Sequence, residues 1–183
     1  MLTESDTLLV ADVLPARYER ACAFTNNDDR ERCIGAGVLL LRLGLRSEAD
    51  IVYGPYGKPS VDYLPAFNIS HSGDYVVCAW DDAPVGVDVE CVRRDNAKVA
   101  ERVFTEGELE WMRSGNADER FCTLWTCKEA VMKLFGEGLH MDPRGFEVLA
   151  LARGESIEIN GAMICAHIEM RDEYMLCVAS AKG

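Results

Sequence analysis

The sequence predicts an α+β fold of two similar halves. Apolar segments at helical period, followed by alternating strand patterns punctuated by turn formers, occur twice, before and after about residue 84. No low-complexity run or long linker divides the chain, and the second half does not repeat the first residue for residue. Residues 1–84 and 85–183 therefore read as N-terminal and C-terminal halves of one body.

The elements follow in order. Leu8 to Val13 is an apolar run read as a first strand, and Ala16 to Phe24 as a helix. Ile34 to Leu43 is almost wholly apolar, interrupted only by small residues and Arg42, so it reads as a helix buried on most sides. Tyr53 to Pro59 is dense in glycine and proline and reads as a loop. Phe67 to His71 and Tyr75 to Trp80 flank Ser72-Gly73-Asp74 as a hairpin, and Val85 to Glu90 alternates as the next strand. Thr105-Glu106-Gly107-Glu108 has the spacing of a capping box opening a short helix. A longer helix follows, started near Asp118 and ended by Gly136 and Gly138. Glu147 to Leu151, Ser156 to Asn160, Ala162 to Glu169 and Tyr174 to Ala179 read as strands of a closing antiparallel sheet.

Composition narrows the function. With 183 residues, 49% hydrophobic and 27% charged, the chain can bury a substantial core. The net charge of -12 argues against nonspecific nucleic-acid binding, whose affinity comes mainly from phosphate neutralisation. The start lacks a basic n-region and no apolar run approaches a membrane span, so a soluble cytoplasmic protein is expected, with no membrane association. The eight cysteines include no C-x-x-C pair and no histidine at zinc spacing, and they read as reduced thiols, mostly in the core.

The densest chemistry lies in Trp125-Thr126-Cys127-Lys128-Glu129-Ala130-Val131-Met132-Lys133. At about 100° per residue Leu124, Cys127, Val131, Leu134 and Phe135 share an apolar stripe, with Glu129 and Lys133 roughly opposite, one turn apart. Alone, such a pair is a surface ion pair worth a few tenths of a kcal/mol. In the strand before it, Asp88 and Glu90 project from one face about 6.6 Å apart, while Val87 and Val89 point the other way. That face is either wet or part of a site. Joined by Glu129, the two carboxylates would make a three-oxygen set suited to Mg²⁺ beside a substrate phosphate.

Other groups point to anions. His71, between Ser70 and Ser72 at the mouth of the hairpin, is either a satisfied structural histidine or a phosphate contact. Lys58, on a stiff turn before Pro59, either waves in solvent or presents an ammonium. Arg30 and Arg32, ahead of the buried helix, are solvated or phosphate donors. Arg94, Lys98 and Arg102 recur at i, i+4, i+8, a basic stripe in an acidic protein and the best candidate surface for an acidic partner.

Five ordered segments between residues 53 and 140 resemble the 4'-phosphopantetheinyl transferases, specifically the larger, pseudo-dimeric (Sfp-like) class. They are Tyr56-Gly57-Lys58-Pro59, Phe67 to Ser72, Gly86 to Glu90, Phe104 to Glu108, and Trp125 to Lys133 with Gly136-Glu137-Gly138-Leu139. The resemblance implies a 4'-phosphopantetheinyl transferase fold of two α/β halves about a pseudo-twofold axis. Coenzyme A would lie between them, its nucleotide and phosphates toward residues 1–84 and the metal and catalytic helix in residues 85–183. It implies attack by a serine hydroxyl of an apo acyl, peptidyl or aryl carrier protein on the β-phosphate of coenzyme A, which releases adenosine 3',5'-bisphosphate. Such carriers serve fatty-acid, polyketide and nonribosomal peptide synthesis.

Carried over residue by residue, the resemblance makes Asp88, Glu90 and Glu129 the Mg²⁺ ligands and Glu129 the group that activates the serine, directly or through a metal-bound water. Lys133 would steady the pyrophosphate. Lys58, Ser70 and His71, together with Asp88 and Lys133, would hold coenzyme A, with Arg30 and Arg32 toward the 3'-phosphate. The Arg94, Lys98 and Arg102 stripe would meet the carrier, and two fused halves make a monomer sufficient. Two other readings use the same groups: a Mg²⁺-dependent phosphohydrolase acting on a pyrophosphate, and a noncatalytic coenzyme A-binding module.

Overall fold

The computed structural model describes residues 2–93 and 97–182. It is α+β. Three helices, α1 (Glu4–Val13), α2 (Pro15–Cys22) and α3 (Asn27–Leu43), open the chain. The short strands β1 (Val52–Tyr53) and β2 (Pro59–Ser60) frame the Tyr53 to Pro59 loop, and β3 (Ala66–Ser72) and β4 (Tyr75–Asp81) form the expected hairpin. Then come β5 (Val85–Cys91), α4 (Ala97–Val103), α5 (Glu106–Arg113), α6 (Ala117–Phe135), α7 (Leu149–Ala152), β6 (Ile157–Ile159), β7 (Ala162–Arg171) and β8 (Tyr174–Lys182). The last strands form a four-stranded antiparallel sheet in the order β5-β8-β7-β6.

Three sequence expectations are corrected. Leu8 to Val13 is helical, because Thr3 and Asp6 close a capping box that starts α1. Glu147 to Leu151 is not a strand but leads into the single turn of α7, with Val148 and Leu151 buried under α6. Helix α3 begins at Asn27, capped by Asn26, so Arg30 and Arg32 lie within it and not ahead of it. The capping box at Thr105 forms as read, and α6 ends at Gly136 in the left-handed conformation.

Each half has its own core. Val10, Leu14, Val38, Leu40 and Phe67 pack in the first, and Phe104, Phe121, Leu124, Val131 and Ile164 in the second. The N-terminal core is closed by an ion pair between Arg17 and Glu48. Of the cysteines, Cys122, Cys127 and Cys177 are buried, fewer than expected, and all eight are free thiols. Among the described residues no helix is long and apolar enough to cross a membrane.

Two glycines allow close approaches, one within the C-terminal half and one between the halves. At Gly86 a Cβ would stand 2.0 Å from Ala130 O and 2.4 Å from Leu134 N, so only glycine lets α6 press its backbone onto β5. At Gly73 (φ +51) a Cβ would lie 2.1 Å from the Tyr174 hydroxyl. There the β3–β4 turn meets the β7–β8 turn: the Tyr75 and Tyr174 rings pack at 4.6 Å, Tyr75 donates to Asp172 (3.0 Å), and Asp74 N–H donates to Tyr174 (3.2 Å).

Candidate active site at the β5–α6 crossing

The close crossing at Gly86 sets α6 over the face of β5 that carries Asp88 and Glu90. Strand alternation puts both carboxylates on the helix side, and α6 lowers Lys133 onto them: its Nζ donates to Asp88 Oδ1 (2.5 Å) and Ser70 Oγ (3.0 Å). Ser70 donates to the same Asp88 oxygen (2.7 Å), and Ser72 donates to Glu90 Oε2 (3.0 Å). Asp88 is only 3% exposed, so the wet-face reading of this strand is excluded. Glu129, one turn before Lys133, is partly buried beside them.

The electrostatics are strained in one direction. Burial raises the Asp88 carboxyl above the usual carboxylate range, against the pull of Lys133 and Ser70. Burial and then the neighbouring Asp88 charge raise Glu90. Glu129 is pushed up to about 6, chiefly by burial, with Asp88 and Glu90 adding to it and Lys133 opposing. Three acidic groups thus lie near the Lys133 ammonium, with the Arg93 charge also acting on Glu90.

That donor set fits a hard divalent cation. All of it is carboxylate oxygen, it carries excess negative charge, and Asp88 Oδ2 is buried without a hydrogen-bond partner. The cage is not preformed: among the described residues no three such side chains already stand at ion-holding distances. Like charges keep the carboxylates apart, and Lys133 draws Asp88 to itself.

A stability effect follows from these shifts. A carboxyl raised in the folded state binds more protons folded than unfolded between its two pKa values, so its stabilising contribution is lost as pH rises through the folded value. Glu129→Gln is therefore expected to raise the thermal midpoint by a few degrees above pH about 6 and to leave it unchanged below pH about 4.5, the ordinary value. Scanning calorimetry of both chains across that window reads it. A midpoint lowered at neutral pH would mean that the carboxylate stabilises the fold.

The remaining predicted residues are scattered. Lys58 does not stand free: two of its three donors are spent on Val85 O and Leu134 O (both 2.9 Å), where it ties the start of β5 to the end of α6. Burial lowers its pKa. His71 lies on the opposite face of β3 from Ser70, exposed. Arg30 donates to Phe24 O, and Arg32 donates to Gly73 O (3.0 Å) and Asp29 (3.1 Å). Lys98 and Arg102 are exposed on α4, and Arg94 lies outside the described residues.

Sequence reasoning missed two sets of residues. Asn68 and Ser72 join Ser70 on the inward face of β3, a role written in the alternation Asn68-x-Ser70-x-Ser72. Lys128 and Glu108 form a fully buried ion pair at 2.9 Å, which the capping box only half disclosed.

Residues 84–179 match the model of the family described as 4'-phosphopantetheinyl transferase superfamily. Over 193 residues the chain is 30% identical to 4'-phosphopantetheinyl transferase Sfp of Bacillus subtilis (strain 168), covering 97% of this chain and 86% of that protein. It is 42% identical over 94 residues to 4'-phosphopantetheinyl transferase gsp of Aneurinibacillus migulanus, covering 50% of this chain and 40% of that one. It is 37% identical over 144 residues to 4'-phosphopantetheinyl transferase AcpT of Escherichia coli (strain K12), covering 74% and 72%. The chain belongs to the 4'-phosphopantetheinyl transferase superfamily. Within it, the resemblance along nearly the whole length sets it with the larger Sfp-like class, and its enzyme class is 4'-phosphopantetheinyl transferase.

Proposed function

We propose that this chain transfers 4'-phosphopantetheine from coenzyme A to a serine of an apo acyl, peptidyl or aryl carrier protein, dependent on Mg²⁺, releasing adenosine 3',5'-bisphosphate. The observation that carries the reading is the buried, unpartnered Asp88 Oδ2 under Lys133, on the strand face that Glu90 shares and beside the charge of Glu129 on α6. Asp88, Glu90 and Glu129 are the groups that would hold the ion. A bound Mg²⁺ supplies charge neutralisation and alignment of the diphosphate.

The chain's own side chains do the rest. Glu129, raised toward neutrality, is a carboxylate able to take the serine proton near physiological pH. Lys133, already poised between Asp88 and Ser70, offers its ammonium to the charge that builds on the departing phosphate. Lys58, Ser70 and His71 are assigned to the coenzyme A phosphates and Arg30 and Arg32 to the 3'-phosphate, across residues 1–84. The metal and catalytic helix lie in residues 85–183, and the two halves are taken as related by a pseudo-twofold axis. The exposed Lys98 and Arg102, with Arg94, are assigned to the carrier. The protein is read as a cytoplasmic monomer that binds no nucleic acid, in keeping with its net charge of -12.

Incubation with coenzyme A, Mg²⁺ and a panel of apo carriers is expected to add the mass of one phosphopantetheine to one serine, and chelation to stop it. No mass increase on any carrier would overturn the reading. Cleavage of coenzyme A without a carrier would make the protein a phosphohydrolase, and binding without turnover a noncatalytic module.

A further inference from the structure

β3 and β5 lie side by side and run in the same direction, yet they belong to separate sheets. Side chains, not a backbone ladder, join them. At every second residue of β3 an oxygen accepts from a β5 amide: Asn68 Oδ1 from Val87 N–H (2.9 Å), Ser70 Oγ from Val89 N–H (3.4 Å) and Ser72 Oγ from Cys91 N–H (3.2 Å). The donors alternate because β5 spends its other edge on β8. All three β3 residues are buried.

A hydroxyl has one proton to give and two lone pairs. Ser70 uses all three, giving to Asp88 and accepting from Val89 and Lys133. Ser72 repeats the pattern one step along, accepting from Cys91 and giving to Glu90 Oε2 at 3.0 Å. Since its acceptor side is already engaged by a backbone amide, its proton is aimed at the carboxylate. Glu90 has one more side-chain torsion to fix than Asp88, so it gains more from an anchor.

We propose that Ser72 is a positioning residue for Glu90: pinned to the Cys91 amide, its hydroxyl holds one Glu90 oxygen and so sets where the other faces. The inference rests on the reading of Asp88, Glu90 and Glu129 as the cation-holding set. A ligand's hydrogen-bond partner of this kind typically changes metal affinity or activity by 10–100-fold.

The test uses Mn²⁺ as probe, with binding to the full chain measured by calorimetry in the absence of coenzyme A and carrier. Ser72→Ala is expected to weaken Mn²⁺ binding roughly tenfold. Ser72→Thr, which keeps the hydroxyl, is expected to restore it. Ser72→Cys, similar in volume but a weak donor, guards against misfolding of the alanine chain and is expected to bind as weakly. Transfer kinetics should show kcat lowered with KM for the carrier unchanged. Mn²⁺ affinity unaltered by Ser72→Ala, or a threonine chain as weak as alanine, overturns the proposal even where carriers are modified normally. Wild-type chain that binds Mn²⁺ with the expected dependence on Ser72, yet modifies no carrier, overturns the proposed function and leaves this inference standing.

Discussion

Glu129→Gln is expected to cut phosphopantetheine transfer by roughly 10²–10⁴-fold in kcat, the range of a positioned general base, while the chain stays folded. The amide keeps the shape of the side chain but cannot accept a proton from a serine, and it removes one of three charges from the proposed cation set. The neighbours give the substitution a second signature. Burial together with Asp88 and Glu90 makes the Glu129 charge costly, which is why its carboxyl rises to about 6. The same substitution should therefore lose activity and gain thermal stability at neutral pH. Turnover on an apo carrier and calorimetry on the same preparation read both, and unchanged turnover would remove Glu129 from the chemistry.

The opposite combination is expected at Lys128, the residue just before it. Lys128→Ala should cost about 3–5 kcal/mol, the range for breaking a buried pair, a fall of roughly 10 °C in the thermal midpoint. Lys128 and Glu108 are both 0% exposed. The ammonium also donates to Pro143 O (2.7 Å) and Phe146 O (2.6 Å) and lies 4.6 Å from the Phe146 ring. Glu108 in turn accepts from the amides of Val148 (2.8 Å) and Thr105 (2.9 Å). This cluster fastens α5 and the segment after α6 to α6, so removing one charge leaves the other buried and unpaired.

Removing both charges together, as Glu108→Gln with Lys128→Met, should recover part of the loss, because no bare charge then remains buried. Chemical denaturation of the three chains tests this. A double variant no more stable than Lys128→Ala would mean that the backbone hydrogen bonds, not the pair, hold the segment.

The two lysines of α6 show what a linear reading could reach. Lys128 and Lys133 are five residues apart, about 140° around the helix, so one must face away from what the other faces. Helical phase placed Glu129 and Lys133 together, and strand alternation placed Asp88 with Glu90, because both periodicities are local properties of the backbone. The hairpin at Gly73, the Thr105 cap and the Gly136 stop were legible for the same reason: each is written within four residues. The Leu8 to Val13 run was misread because its apolar residues suit either element and its start signal, Thr3 with Asp6, lies outside it. Neither reading of Lys58, loose in solvent or presenting an ammonium to an anion, includes its two carbonyls, because no pattern near it names Val85 O and Leu134 O, one of them 76 residues away, as its acceptors.

From the residues alone came an α+β chain in two parts, a carboxylate pair on one strand face and a carboxylate with an ammonium on one helix, since periodicity and caps depend on neighbours in the chain. Tertiary packing decided that Gly86 lets that helix touch that strand, that Asp88 is buried under Lys133, and that β3 is stitched to β5 through Asn68, Ser70 and Ser72. These are contacts between residues distant in sequence, and their energies come from desolvation and charge proximity, which exist only once those distant elements are packed against each other.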